Sequence, residues 1–367
     1  MFGHWFALHL SAAELADVKA SADLALKLAP DLPEAHVALG DYYYRGFRNY
    51  NEAVPQFQRA LQLAPNSLSA IAGLAFIDRR TGKFEQALDA LGKAVSFAPR
   101  DRILLAEYGF TYEILRRYPQ AIQQMSLSLA VDPTYDNARD FLVRAYLFGF
   151  GHVHGAHAAM ESQHGWLIAH GNNLAGDVLN LVSPHAYPEL FDRHFEAALR
   201  DWDSAPTDTG EERLTQRAAR VAIQVIAGRQ ATIQPECEKL KPLLDAEVTK
   251  NSESLSALQQ ESWVDVCLGR KGDAIAAARH AVDVLPLSKD TYFGTFQLEG
   301  LAEIDAHAGA PDEALKLIRQ LLAIPAGQSM SITRLQLDPL WDPLRKDPRF
   351  QKLIADGDAA AKAQSGP

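Results

Sequence analysis

Residues able to do chemistry are unevenly spread along this chain of 367 residues. Seven of its twelve histidines fall between positions 152 and 194: His152, His154, His157, His164, His170, His185 and His194. On a helix His154 and His157 share a face, as two metal ligands do. A closed site needs more donors, and the nearest carboxylate, Glu161, stands one helical turn beyond His157. A polar helix start behind a glycine-rich turn accounts for the same residues, so no metal or other cofactor is expected. Cys237 and Cys267 lie far apart in the chain, without ligand spacing. They are expected to be free thiols in a reducing, cytoplasmic setting. There is no GxSxG nucleophile motif, and no acid–base pair that can be placed in one site. The chain is not expected to be an enzyme.

Another set of residues suits binding rather than catalysis, and its positions are set by a repeat. Pro30, Pro65, Pro99 and Pro133 recur at a nearly constant interval. Between them the same apolar and small residues recur. From Leu68 the run is Leu74, Ala75, Gly82, Phe84, Ala87, Leu91, Ala94, Pro99. The next unit has Tyr108, Gly109, Tyr112, Tyr118, Ala121, Met125, Ser128, Pro133. The preceding one has Leu39, Gly40, Tyr43, Ala53, Phe57, Ala60, Pro65, with one residue inserted in its Tyr- and Arg-rich turn. Apolar positions at three and four spacings give each segment one apolar helical face. Small residues at fixed places let paired helices approach closely. Each proline ends a second helix, and Asn66 or Ser67, and Asp101, are placed to cap the next one.

A fixed period of about 34 residues resembles the tetratricopeptide repeat. The resemblance implies an all-α, right-handed solenoid whose first helices line a concave face. Counted in that register, the face carries Tyr44, Phe76, Arg79, Arg80, Phe110 and Arg144. Aromatic and Arg side chains are the usual anchors of an interface, and packing of Phe76 and Phe110 between repeats or onto a neighbouring helix is the equal alternative. The expected partner is a protein or peptide segment with apolar and acidic residues. Repeats of this family that hold a terminal carboxylate use Lys and Asn at set groove positions. Val37, Asp41, Ala72 and Phe76 stand there instead, which argues against that mode.

The register also divides the chain. Residues 1–148 read as a regular array whose first helix would start ahead of Met1, so the chain is expected to begin inside a repeat and to be a piece of a longer protein. Residues 149–205 read as an irregular His-rich helical segment, with a linker at SAPTDTGEER. Residues 206–325 read as a degenerate array marked by Gly269, Ala274, Ala278, Ala281, Pro286 and by Gly309, Ala314, Ile318, Leu321, Pro325. Residues 326–367 read as a cap and a fraying tail. Its three Asp-Pro pairs suit an N-cap and first helical position, and Leu340, Trp341, Leu344 and Phe350 are expected to cover the last repeat. The motifs LGRKGDAIAAARHAV, LLAIPAG and LDPLWDPLRKDPRF are similar to the C-terminal repeat region of certain bacterial signalling proteins. In those, the repeats follow a kinase, cyclase or winged-helix output domain. No glycine-rich phosphate loop, HRD or DFG triplet or basic recognition helix is present here.

Composition agrees with a binding role. Apolar residues make up 47%, as in folded domains, and the net charge of −10 argues against direct nucleic-acid binding. No apolar run is long enough to span a bilayer. The start, MFGHWFALHL, lacks the basic region of a signal peptide and reads as part of a first repeat. The function expected is an interaction scaffold or sensor arm of a bacterial signalling or regulatory protein. The alternative is a small-molecule or peptide receptor module that regulates a linked output domain, and a metalloprotein or enzyme built on the histidines ranks last.

Overall fold

The computed structural model describes residues 12–161, 186–203, 210–325 and 330–365. Among them every regular element is helical, and the chain is an all-α solenoid of paired helices. After α1 (Ala12–Leu28), the pairs are α2 (Pro33–Asp41) with α3 (Tyr50–Leu63), α4 (Leu68–Arg80) with α5 (Phe84–Phe97), and α6 (Arg102–Ile114) with α7 (Tyr118–Val131). There follow α8 (Asp136–Phe150) with α9 (Val153–Glu161), α10 (Ala186–Phe191) with α11 (Phe195–Asp203), and α12 (Gly210–Ile226) with α13 (Gln230–Lys250). The last pairs are α14 (Leu255–Cys267) with α15 (Lys271–Val284), and α16 (Phe293–Ala308) with α17 (Pro311–Ala323). The chain ends in α18 (Ile332–Leu337), a 3-10 helix (Pro339–Leu344) and α19 (Pro348–Ser365). It forms two compact units, Met1–Thr111 and Tyr112–Pro367, so the division falls inside the stretch expected to be one regular array.

One turn recurs through all eight pairs. Arg48, Gly82, Arg116, Gly151, Arg193, Gly228, Gly269 and Gly309 have φ between 49° and 79°, and each lies just before its second helix. A left-handed residue there ends the first helix and reverses the chain. In six of the eight, the next N–H donates to a carbonyl in the last turn of the first helix at the same offset, as Lys83 does to Asp78 and Ala310 to Asp305. The turn persists through 149–205, where the sequence shows no register. The start at 1–10, three histidines (His164, His170, His185) and most of the linker SAPTDTGEER lie outside the described residues.

The two helices of a pair bury different surfaces. α5 is amphipathic: Phe84, Ala87, Leu88, Leu91 and Ala94 are buried while Glu85, Gln86, Asp89 and Lys93 face outward. α4, α14 and α16 expose no residue on any side. First helices therefore form an inner layer and second helices an outer one. In the first unit the Phe57 ring, fully buried, wedges between α2 and α4. A Cβ on Gly40 would lie 2.8 Å from that ring and one on Gly73 2.6 Å. The residue inserted in the first unit's turn is absorbed by a π-helical turn, Tyr42–Gly46. Asp101 caps α6, accepting from the N–H groups of Ile103 and Leu104 at 2.9 and 3.1 Å. Ser67 stands at the N-cap of α4 but makes no capping bond.

In the second unit the C-terminal segment does more than cover the last pair. Leu340, Trp341, Leu344 and Phe350 are buried, and His307 of α16 faces the Leu340 carbonyl with Nε2 at 2.9 Å. Burial lowers His307 to about 4, so near neutral pH the ring is uncharged and donates this bond. The same segment reaches back to α8: Ser331 Oγ donates to the Phe148 carbonyl and Thr333 Oγ1 to that of Gly149. Arg116 donates to the carbonyls of Leu321, Ile324 and Met330 at 2.7, 3.1 and 2.9 Å. Arg193 binds Asp342 through both terminal nitrogens. At the centre Arg334, fully buried, pairs with Glu299 and Glu303 of α16 and with Asp338, and lies over the Phe148 ring at 5.0 Å. Asp338 and Asp347 cap as the Asp-Pro pattern predicts, binding the N–H groups of Leu340 and Arg349. Asp342 lies inside the 3-10 helix and holds Arg193 and Arg345 instead.

Two measurements check this packing. Gly73→Ala should cost about 1–3 kcal/mol in urea unfolding, because the methyl meets the Phe57 ring. Adding Phe57→Leu should reduce the cost of the alanine, and purely additive losses would contradict the wedge. Arg334→Met strands three buried carboxylates and should cost about 3–5 kcal/mol. Amide exchange should rise first in residues 330–365, and uniform acceleration across the second unit would contradict a local clasp.

Candidate functional site

The inner face of the first unit carries five of the residues read as groove anchors, on α4, α6 and the π-helical turn. All five are buried: Tyr44, Phe76, Arg79, Arg80 and Phe110 expose between 3 and 8% of their surface. The Arg79 guanidinium lies between two rings, 4.8 Å from the centre of Phe76 and 5.0 Å from that of Phe110. Its Nη2 donates to Glu107 Oε2 at 2.6 Å and its Nη1 to Thr111 Oγ1 at 3.2 Å. Arg80 Nε donates to the Tyr44 hydroxyl at 3.3 Å. These side chains are together, as the repeat register predicts, but as a packed cluster rather than an open strip. The carboxylate expected from a partner is supplied by Glu107.

Glu107 is not among the residues the sequence singles out. Its separation from Arg79 is shorter than one repeat, because the last turn of α4 faces the middle of α6. A charged residue among the apolar ones at the middle of a first helix was the available signal. Burial pushes the Glu107 carboxyl up to about 7, against the pull of Arg79.

The second unit repeats the chemistry once. Arg144 on α8, also buried, donates from Nε to Glu113 Oε1 at 3.0 Å, with Asp140 one turn away at 3.8 Å. Its guanidinium lies 5.3 Å from the centre of the Phe141 ring. Burial pushes Glu113 up to about 7, against Arg144.

The described histidines of this stretch do not converge. His152 lies edge-on to Tyr146, and His157 is 3.6 Å from Asp192. Among the described residues no three His, Cys, Asp or Glu side chains gather as metal ligands. The free-thiol expectation is overturned: Cys237 and Cys267 form a disulfide. The reason is geometric. Cys237 stands about as far before the end of α13 at Lys250 as Cys267 stands beyond the start of α14 at Leu255, so the two meet across the helical hairpin. That symmetry about the 251–254 turn was readable in the sequence; ligand spacing alone was the wrong criterion. Among the described residues no helix is long and apolar enough to cross a membrane.

Residues 44–106 match the model of the tetratricopeptide repeat family, a span that includes Tyr44, Phe76, Arg79 and Arg80. Among solved structures the chain is similar to a tetratricopeptide repeat protein from Parabacteroides merdae, at 16% identity over 79% of this chain and 91% of that one, with a TM-score of 0.41. It is also similar to yeast Tom70, at 14% identity over 94% of this chain and 62% of that one, with a TM-score of 0.43. No curated protein matches it.

The Glu107 environment makes a pH prediction. A carboxyl raised from its ordinary value of 4.5 to about 7 by folding stabilises the fold most below about 4.5. That contribution is lost as pH rises through about 7. Glu107→Gln imitates the protonated form at every pH. The variant should therefore gain on the parent as pH rises from about 4.5 to about 7.5, by an amount on the order of 1–3 kcal/mol in denaturant unfolding. A difference that does not change with pH would contradict the assignment.

Proposed function

We propose that this chain is a protein-interaction scaffold that takes a partner segment bearing apolar and acidic residues along the inner face of its first helices. The observation that carries the reading is Arg79, close to the rings of both Phe76 and Phe110 and within a stretch that matches the tetratricopeptide family. A stacked guanidinium recognises a carboxylate strongly, since its orientation is already set. Its present counter-group, Glu107, is a poor competitor near neutral pH because burial disfavours its ionised form. An acidic side chain from a partner can take that place while apolar neighbours displace the inner packing. Arg144 with Glu113 offers the same exchange in the second unit.

The finer reading is a sensor or scaffold arm of a bacterial signalling protein, and it rests on the C-terminal motifs alone. An output domain encoded in the same gene is its test. For location, the Cys237–Cys267 bond favours an oxidising compartment over the reducing cytoplasm.

The binding test begins with affinity capture on the intact chain and mapping of the captured segment. Phe76→Leu combined with Phe110→Leu keeps the core apolar but removes both stacking faces, and should weaken binding at least about tenfold. Glu107→Gln removes the internal competitor and should strengthen it several-fold near pH 7.5. If both folded variants bind as the parent does, the inner face is not the site.

A further inference from the structure

The second unit holds an open cleft of about 830 Å³ unrelated to the inner-face clusters. It lies where the C-terminal segment meets α7, α8 and α17. Its walls are apolar: Tyr118, Phe148, Leu322, Ile332 and Leu353. Close approach shapes the space, since a Cβ on Gly149 would strike the Tyr118 ring at 2.5 Å and one on Gly357 would meet Ile332 at 2.2 Å.

The charged lining is almost wholly cationic. Arg116, Arg319, Arg349 and Lys352 face one acid, Asp356. Lys352 pairs with Asp356, and Arg349 pairs with Asp347 and Asp312. The other two have no carboxylate at ion-pair distance among the described residues. Arg116 donates to carbonyl oxygens. Arg319 is exposed and makes no hydrogen bond or ion pair with any described residue. Two uncompensated guanidiniums at one apolar cleft are a local exception in a chain of net charge −10. Arg116 also occupies a left-handed turn position that glycine fills in five of the eight turns. Backbone strain is thus accepted to place a guanidinium here.

From this we infer that the cleft beside α17 and the C-terminal segment is a binding site for a small amphiphilic organic anion, with an apolar body against Tyr118, Leu322, Ile332 and Leu353 and a carboxylate at Arg319 and Arg116. The volume falls within the range of small-molecule sites, about 300–1,000 Å³. The anion contributes a carboxylate that neither guanidinium has at ion-pair distance among the described residues, and the carboxylate–guanidinium geometry favours a planar carboxylate over a diffuse dipole.

The test uses the full chain and two probes, decanoate and 2-naphthoate, with decanol and 2-naphthalenemethanol as neutral controls, by isothermal titration calorimetry. At least one acid should bind one-to-one with a Kd below roughly 100 μM, and its alcohol at least about tenfold more weakly. Arg319→Glu should weaken the acid at least about tenfold without lowering the melting temperature, because Arg319 holds nothing in the fold. Ala323→Trp, which fills the cleft from its exposed edge, should abolish binding. The inference is overturned if neither acid binds by roughly 1 mM, if alcohol and acid bind alike, or if both variants bind as the parent does.

Discussion

Everything in this fold depends on one residue per helix pair adopting left-handed backbone. A helix can pack only against a partner that returns beside it, and a short return needs positive φ just beyond the helix. Five of eight turns meet this with glycine. Three use arginine, at about 1–2 kcal/mol of backbone cost each. Two of those arginines, Arg116 and Arg193, hold the C-terminal segment, so the strain secures a tether.

The inner layer follows from the turn. With second helices taking the solvent side, first helices are largely enclosed, and most of the charges on them are drawn into internal pairs. Arg79 meets Glu107, Arg144 meets Glu113, and Arg334 meets Glu299, Glu303 and Asp338. Such pairs add little net stability over an apolar core, but they tolerate no partial loss. In the first two, they also supply cationic, ring-flanked sites whose internal carboxylates are weakly ionised.

The C-terminal segment shows how a repeat array ends. A final pair leaves an apolar face, and Leu340, Trp341 and Leu344 cover it. Here the covering chain continues back to α8, with Ser331 and Thr333 on its terminal carbonyls and Arg334 over Phe148. That return path leaves the cationic cleft between the segment and α17.

Periodicity alone determined the helix pairs up to α7, since each small residue and proline there answers a contact within its own or the next repeat. Phe57 with Gly40, the Asp101 cap and the buried Trp341 were legible for that reason. That Tyr44, Phe76, Arg79, Arg80 and Phe110 lie together followed from their places in the register. Whether they lie open or packed was not legible, since that depends on what lies opposite: Glu107 opposite Arg79, Glu113 opposite Arg144. The regular turns at Gly151 and Arg193 were hidden because arginine and insertions disguise a backbone angle that carries no letter. The clasp of Arg334 and the placing of Arg116 and Arg319 on one cleft join residues brought together by packing. Local spacing encodes helices and their faces; only the tertiary structure decides which face meets which, because those contacts form across long stretches of intervening chain.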